Sequence, residues 1–203
     1  PDLAGARAGA RRFESECLAD APLASGVGET LPFADGSFDV VCSFQVLEHT
    51  RNPEQVLSET VRVLRPGGYF VHIFPNYGSF WEGHYGALWI PHLPKLLGRI
   101  YVRLLGRDLT MLEELQLLTH GRVARAVRTH HAVRIVDWGV DLWERRIRTL
   151  EFSEWAYLAR LKRLVRILHR LHAVNALIAT GRVLHFETPI VLVGTNIAAD
   201  EAQ

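Results

Sequence analysis

No Gly-x-Gly-x-Gly occurs anywhere in the 203 residues, and no eighteen consecutive side chains are apolar. The second absence excludes a spanning helix, which needs about 20 such residues. The first removes the usual means by which a backbone approaches a nucleotide cofactor. Cysteine is scarce: Cys17 and Cys42 make neither a disulfide framework nor a cysteine zinc site. They favour a reducing compartment, and a cytoplasmic location is expected. The formal net charge is only +1, which gives no global electrostatic argument for nucleic acid. The first apolar residues are Ala and Gly interleaved with Arg, which is not a signal-peptide pattern, and none is expected within these residues. The chain opens on Pro1 in mid-pattern, so upstream residues are expected to exist.

What is present suits one core and one domain over 1–203, expected to be N-terminally incomplete; 48% of the residues are hydrophobic. Charge is uneven. Residues 1–100 hold 8 Lys+Arg against 11 Asp+Glu, and the remainder 15 against 11, so the positive charge lies in the second half. Residues 4–11 repeat Ala-Gly-Ala-Arg, and Arg7, Arg11 and Arg12 share one side of a marginal helix. Leu18 to Gly28 predicts a short strand, weakened by Pro22 and Gly26.

The best-formed stretch runs from Gly26 to Gly68. Asp35-Gly36 is a turn, and Phe38 to Phe44 reads as a strand buried on both faces. Asn52-Pro53-Glu54 opens a helix as N-cap, first residue and first-turn acid. Val56, Leu57, Thr60, Val61 and Leu64 keep helical spacing, Arg62 and Arg65 suit its last turn, and Pro66-Gly67-Gly68 stops it. Tyr69 to Phe74 is the next strand, which completes a βαβ unit. Further on, Leu112 to Val127 reads as a helix broken at Thr119-His120-Gly121, and Val133 to Val140 as a strand. Leu158 to Ile178 carries one apolar stripe with Arg160, Lys162, Arg163, Arg166 and Arg170 off it, and Gly181 ends that helix. Phe186 to Gly194 is a last strand, for which Pro189 suggests an edge position.

The segment LPFADGSFDVVCSFQVLEHTRNPEQVLSETVRVLRPGGYFVHIFPN resembles the second half of S-adenosylmethionine-dependent methyltransferases of the Rossmann-like class, the ubiquinone-biosynthesis type. The likeness is close over residues 26–76 and loose beyond. It implies an α/β fold: a mostly parallel sheet with an antiparallel last strand, the N-terminal strands missing, and a helical cap at 77–110 inserted after the fifth family strand. It also implies S-adenosylmethionine as cofactor, lying across the strands' carboxyl ends. Val27, Gly28 and Glu29 would cradle the adenine, while Ser43, Phe44 and Gln45 would lie under the methionine portion. The family often has an acid where Val27 stands, and its glycine-rich turn is absent. Weak cofactor binding by this chain is therefore expected.

Glu48 and His49 follow the first strand of the unit. His49 is the candidate base for a proton leaving the acceptor; the alternative is that both residues only hydrogen-bond the next loop. Some related O-methyltransferases hold a metal with Glu-x-x-Glu-His, but Gln45 replaces the first acid here. One carboxylate and one imidazole rarely suffice, so no metal is expected. Asn76, Tyr77, His84 and Tyr85 follow the next strand as candidate substrate-facing groups. Asp39 is read as tying its loop, and His169 and His172 as solvated.

Lys95, Arg99, Arg103 and Arg107 recur every four residues among leucines and aromatics. Peripheral contact with an anionic membrane is one reading, and a wet outer face of a lid the other. No platform or motif for nucleic acid accompanies the charge. Two functions stay open: methyl transfer to a small-molecule or lipid-like acceptor, or a degenerate relative that binds a partner or membrane without catalysis.

Overall fold

The computed structural model describes residues 23–130, 132–151 and 158–197. The Ala-Gly-Ala-Arg helix, Cys17 and the beginning of the Leu18–Gly28 strand lie outside them. Of that strand, residues 23–28 form no ladder; Val27 makes only an isolated bridge to Thr30 across a tight turn.

The central sheet holds β1 (Phe38–Phe44), β2 (Leu64–Phe74), β5 (Val133–Asp137) and β6 (Ile190–Asn196) in the order β1-β2-β6-β5. β1 and β2 run parallel, and β6 is antiparallel to both β2 and β5. One reversed strand, the last in sequence, thus sits between strands of the other direction, as the mostly parallel sheet requires. Pro189 does not mark an edge. It precedes the first ladder residue, so its missing N–H costs the sheet nothing.

Helix α1 (Pro53–Val63) joins the parallel pair. Its N-cap forms as expected, Asn52 Oδ1 accepting the Gln55 N–H at 3.1 Å. It ends at Val63, two residues short of Arg65. The Pro-Gly-Gly stretch belongs instead to β2, with the register slipping between the Phe38–Leu64 and Val40–Tyr69 pairs. Arg65 leaves the helix and meets Asp39 at 2.6 Å, so Asp39 does tie its neighbourhood together.

β1 is not buried on both faces: Val40 and Phe44 are more than half exposed. It borders the described sheet and pairs with β2 alone. In β2 the alternation is clean, with Phe70, His72 and Phe74 inward. These residues meet Leu47, Val56, Leu57, Leu118, Val123, Val127, Ile190 and Leu192 in the main core, beneath α1 and α4 (His120–Arg128). Each fully buried Phe contributes about 1.5–3 kcal/mol.

Two smaller cores flank this one. Residues 77–115 carry the hairpin β3 (Trp81–Glu82) and β4 (Ala87–Leu88), then α2 (Lys95–Leu104) and α3 (Thr110–Glu114), packed around Tyr77, Trp89, Val102, Leu112 and Leu115. The expected break at Thr119 is real: it caps α4, its hydroxyl accepting the Arg122 N–H. The third core joins α5 (Val140–Thr149), α6 (Leu158–Arg170) and α7 (Val174–Leu184) through Trp143, Ile147, Val165 and Ile178. The stripe expected as one helix is two, because His172 takes a positive φ of 54° between α6 and α7. Gly181 lies inside α7 rather than ending it, since Trp143 occupies the space a side chain would need. His169 is not solvated, for its ring bonds the Ile147 carbonyl at 2.9 Å.

Candidate functional site

The site forms where β1 and β2 end side by side. Gln45, at φ 54°, turns the chain off β1 while its N–H still donates to the Ile73 carbonyl at 2.8 Å. A left-handed non-glycine residue costs about 1–2 kcal/mol, so the surroundings must hold this turn. They do so through Leu47, which enters the main core from a 3-10 turn over Leu47–His49. That turn carries Glu48 inward and leaves His49 exposed.

Val27, Gly28 and Glu29 lie against the segment that leaves this turn. A Cβ on Gly28 would stand 3.2 Å from Val56 Cγ2, so the backbone passes close over the first turn of α1. Glu29 Oε1 accepts the N–H groups of Arg51 and Asn52 at 2.8 and 3.1 Å. The Asn52 N–H above all holds its carboxyl below the ordinary range. Phe44, Gln45 and Val46 are exposed at the end of β1, and Val27 is exposed beside Gly28.

Opposite them stands the hairpin. Glu82, buried, accepts hydrogen bonds from the Tyr77 hydroxyl (3.1 Å), from His84 Nδ1 (2.7 Å) and from the Tyr85 N–H (2.6 Å). The His84 ring stands 5.3 Å from that of His49 in an edge-on arrangement, and Glu48, His49 and His84 bring ligand-type atoms within 4.8 Å of one another. Glu48 is fully buried, with no hydrogen-bond partner at either carboxylate oxygen. Burial pushes its pKa up, and pulls that of His49 down with help from His84. The Glu82 hydrogen bond raises that of His84, and burial raises the Tyr77 phenol. A cleft of ≈ 330 Å³ lined by Tyr77, His92, Gln116, Thr119 and Arg122 opens alongside. The Gln116 N–H donates to the Glu48 carbonyl at 2.7 Å, which joins cleft and site.

Of the four expected substrate-facing residues, two support the site from below. Asn76 is buried, its amide donating to the His185 and Glu187 carbonyls, and Tyr77 is buried on Glu82. Tyr85 pins the hairpin, its hydroxyl donating to the Asp108 carbonyl at 2.9 Å and accepting the Leu112 N–H at 3.0 Å. His84 alone keeps a ring nitrogen for the cluster. Glu82, which organises three of these groups, carried no sequence signal; a lone acid in an aromatic loop is indistinguishable from a surface residue.

A second group of ligand type combines His120, His185 and Glu187. His120 Nδ1 meets Glu187 Oε1 at 2.6 Å, and the two imidazoles stack at 3.7 Å. Among the basic residues of α2, Lys95 donates to the Glu113 and Leu115 carbonyls and Arg99 pairs with Glu113 at 2.8 Å. Both are therefore used within the fold.

Comparison with known proteins places this geometry in context. Residues 4–72 match the family model of the methyltransferase domain. A protein of Mycolicibacterium smegmatis named "probable S-adenosylmethionine-dependent methyltransferase" is 51% identical over 53 residues, 26% of this chain and 21% of that one. The ubiquinone/menaquinone biosynthesis C-methyltransferase of Dinoroseobacter shibae is 53% identical over 64 residues, 30% of this chain and 25% of that one. Among solved structures, the cyclase SpnF is similar at TM-score 0.49 and 15% identity, over 94% of this chain and 62% of that one. The chain thus matches about a quarter of the length of these two curated relatives.

Proposed function

We propose that this chain, whose residues 4–72 match the family model of the methyltransferase domain, is of the S-adenosylmethionine-dependent, Rossmann-like class and takes part in methyl transfer from S-adenosylmethionine to a small-molecule or lipid-like acceptor. The observation that carries this reading is the opening at the ends of parallel β1 and β2, with exposed Phe44 and Val46 on one side and a titratable cluster on the other. Open α/β sheets bind ligands at such carboxyl ends.

When bound, the cofactor's sulfonium supplies a methyl carbon and keeps the electron pair of the broken carbon–sulfur bond. The backbone of Val27, Gly28 and Glu29, fixed by the hold of Glu29 on Arg51 and Asn52, would cradle the adenine. Ser43, Phe44 and Gln45 would hold the methionine portion. The segment 77–110 acts as a lid that excludes water from the acceptor, with His84 and Tyr85 on its inner side. The acceptor's lone pair must point in line at the methyl carbon. His49, whose pKa burial and His84 lower, would take the acceptor's proton.

The test is calorimetric titration with S-adenosylmethionine, with Phe44→Ala beside the parent chain. Saturable binding that weakens in the variant is expected. No heat at millimolar cofactor would return the chain to the other reading, a binding module without catalysis.

A second reading draws on α2, whose Leu96, Leu97, Ile100 and Leu104 are exposed beside Arg103 and Arg107. An apolar stripe with flanking arginines suits an anionic membrane surface. No helix among the described residues is long and apolar enough to cross one. Co-sedimentation with anionic vesicles at low salt is expected, and a Leu96→Ser/Leu104→Ser variant should stay in solution. Equal behaviour of the two chains would end this reading.

A further inference from the structure

We infer that the cleft beside the strand ends is a binding site for a small carboxylic acid, with the Lys95 ammonium as its anchor. The cleft measures ≈ 330 Å³, at the lower end of small-molecule pockets, which suits a compact ligand rather than a long chain. Tyr77, Leu115 and Leu117 give it apolar wall, and Lys95, Gln116 and Arg122 are among its polar groups. Among the described residues, no Asp or Glu lines it.

The charges in the cleft do not cancel. Arg122 reaches both Glu54 oxygens, through Nε at 2.8 Å and Nη2 at 3.1 Å, so its charge is matched. Lys95 Nζ donates instead to the Glu113 and Leu115 carbonyls, at 2.7 and 3.0 Å. Those acceptors are neutral. They hold the ammonium in place, leave its charge whole and leave one of its three N–H donors over. The Glu113 carboxylate is taken by Arg99 at 2.8 Å. Gln116 accepts from Arg122 through Oε1 at 3.4 Å, which keeps its amide NH2 for another partner. Two helices also start at the cleft wall: Lys95 is the first residue of α2, and Thr119 caps α4. Neither has an acid in its first turn, so the partial positive charge of both starts adds to that of the lysine.

One unmatched cation calls for one negative charge, and a carboxylate supplies it. A phosphate monoester, at about −1.5 to −2, would leave charge unmatched against apolar walls. The carboxylate accepts from Lys95 and from the Gln116 amide, and the ligand's apolar body lies against Tyr77 and the leucines. The Gln116 N–H meets the Glu48 carbonyl at 2.7 Å, so the cleft adjoins the turn that carries His49. Resting on the methyl-transfer reading, the acceptor is then a molecule with an acid at one end, held in the cleft, and the methylated atom at the other, toward His49.

The test uses the whole chain without S-adenosylmethionine, so its outcome is separate from that of the cofactor titration. Benzoate, benzamide and inorganic phosphate are titrated into isotope-labelled protein and followed by amide chemical shifts. Benzoate should saturate in the millimolar range and move the signals of Gln116 and Thr119. Benzamide has the same shape without the charge and should bind more than about tenfold more weakly. Lys95→Met should weaken benzoate by about fivefold or more, and Lys95→Arg should restore most of that loss. Lys95 also ties two carbonyls of the fold, so Gln116→Glu is the second variant: it keeps the shape, opposes the charge and should weaken benzoate by a similar factor. The inference is overturned if benzamide or phosphate binds as tightly as benzoate, or if either folded variant, Lys95→Met or Gln116→Glu, binds benzoate like the parent. Shifts that fall outside the cleft, or that never saturate by about 50 mM, overturn it too.

Discussion

Asn76 donates through Nδ2 to the backbone carbonyls of both His185 and Glu187, at 2.8 Å each, fastening the end of β2 to the approach to β6. The amide is buried, and its oxygen also accepts the Gly78 N–H at 2.9 Å. Asn76→Ala removes three hydrogen bonds and leaves the Glu187 carbonyl and the Gly78 N–H unpaired in the interior, a loss of about 3 kcal/mol. Urea unfolding should show that loss as a lower midpoint with an unchanged slope.

His72 gives the protein an acid sensitivity unrelated to the site. It is buried in the main core with Nε2 on the Thr60 hydroxyl at 3.1 Å, and burial lowers its pKa to about 4. The unfolded chain binds this proton near pH 6.5, so the folded state is favoured above that pH and loses the advantage as pH falls toward 4. About 2 kcal/mol of stability should disappear between pH 7 and pH 5 on this account. In His72→Leu that difference should vanish, as read by urea unfolding at the two pH values. An unchanged difference would mean that other groups carry it.

Two helical glycines predict substitutions of opposite sign. Gly121 in α4 faces open space, the nearest atom to an added Cβ being Arg125 Nη1 at 3.7 Å. Gly121→Ala should stabilise by up to about 1 kcal/mol through helix propensity. Gly181 in α7 has the Trp143 ring where a Cβ would stand. There the same propensity gain is outweighed, and Gly181→Ala should cost about 1–3 kcal/mol. Calorimetric melting temperatures of the two variants should move in opposite directions.

What could be read from the sequence was what neighbouring residues decide together. The Asn52 cap, the break at Thr119 and the strand–helix–strand unit each rest on signals within a few residues, and each formed. The misreadings came from distance. Pro189 looked like an edge residue because the strand that would flank β6, Val133–Asp137, is far away in the chain. Leu158–Ile178 looked like one helix because its stripe is continuous, while the turn at His172 that parts α6 from α7 leaves no mark on that periodicity. In the site, Glu48 and His49 were conspicuous as a pair, yet their third companion stands 35 residues on from His49 at His84. Asn76 drew attention for the right place and the wrong direction. Its position at the strand end was legible, but the carbonyls that turn it downward belong to residues 185 and 187.

The place of β6 between β2 and β5 has a consequence for how the molecule comes into being. Tyr69 pairs with Thr195 and Val133 with Asn196, so the middle of the sheet is made more than a hundred residues after β2. During synthesis β2 can pair with β1 at once, but its other edge waits for well over a hundred residues. Contacts so far apart in sequence slow folding. Cutting the chain before Ile190 would take out the sheet's centre, and β5 would lose β6, its one partner strand among the described residues.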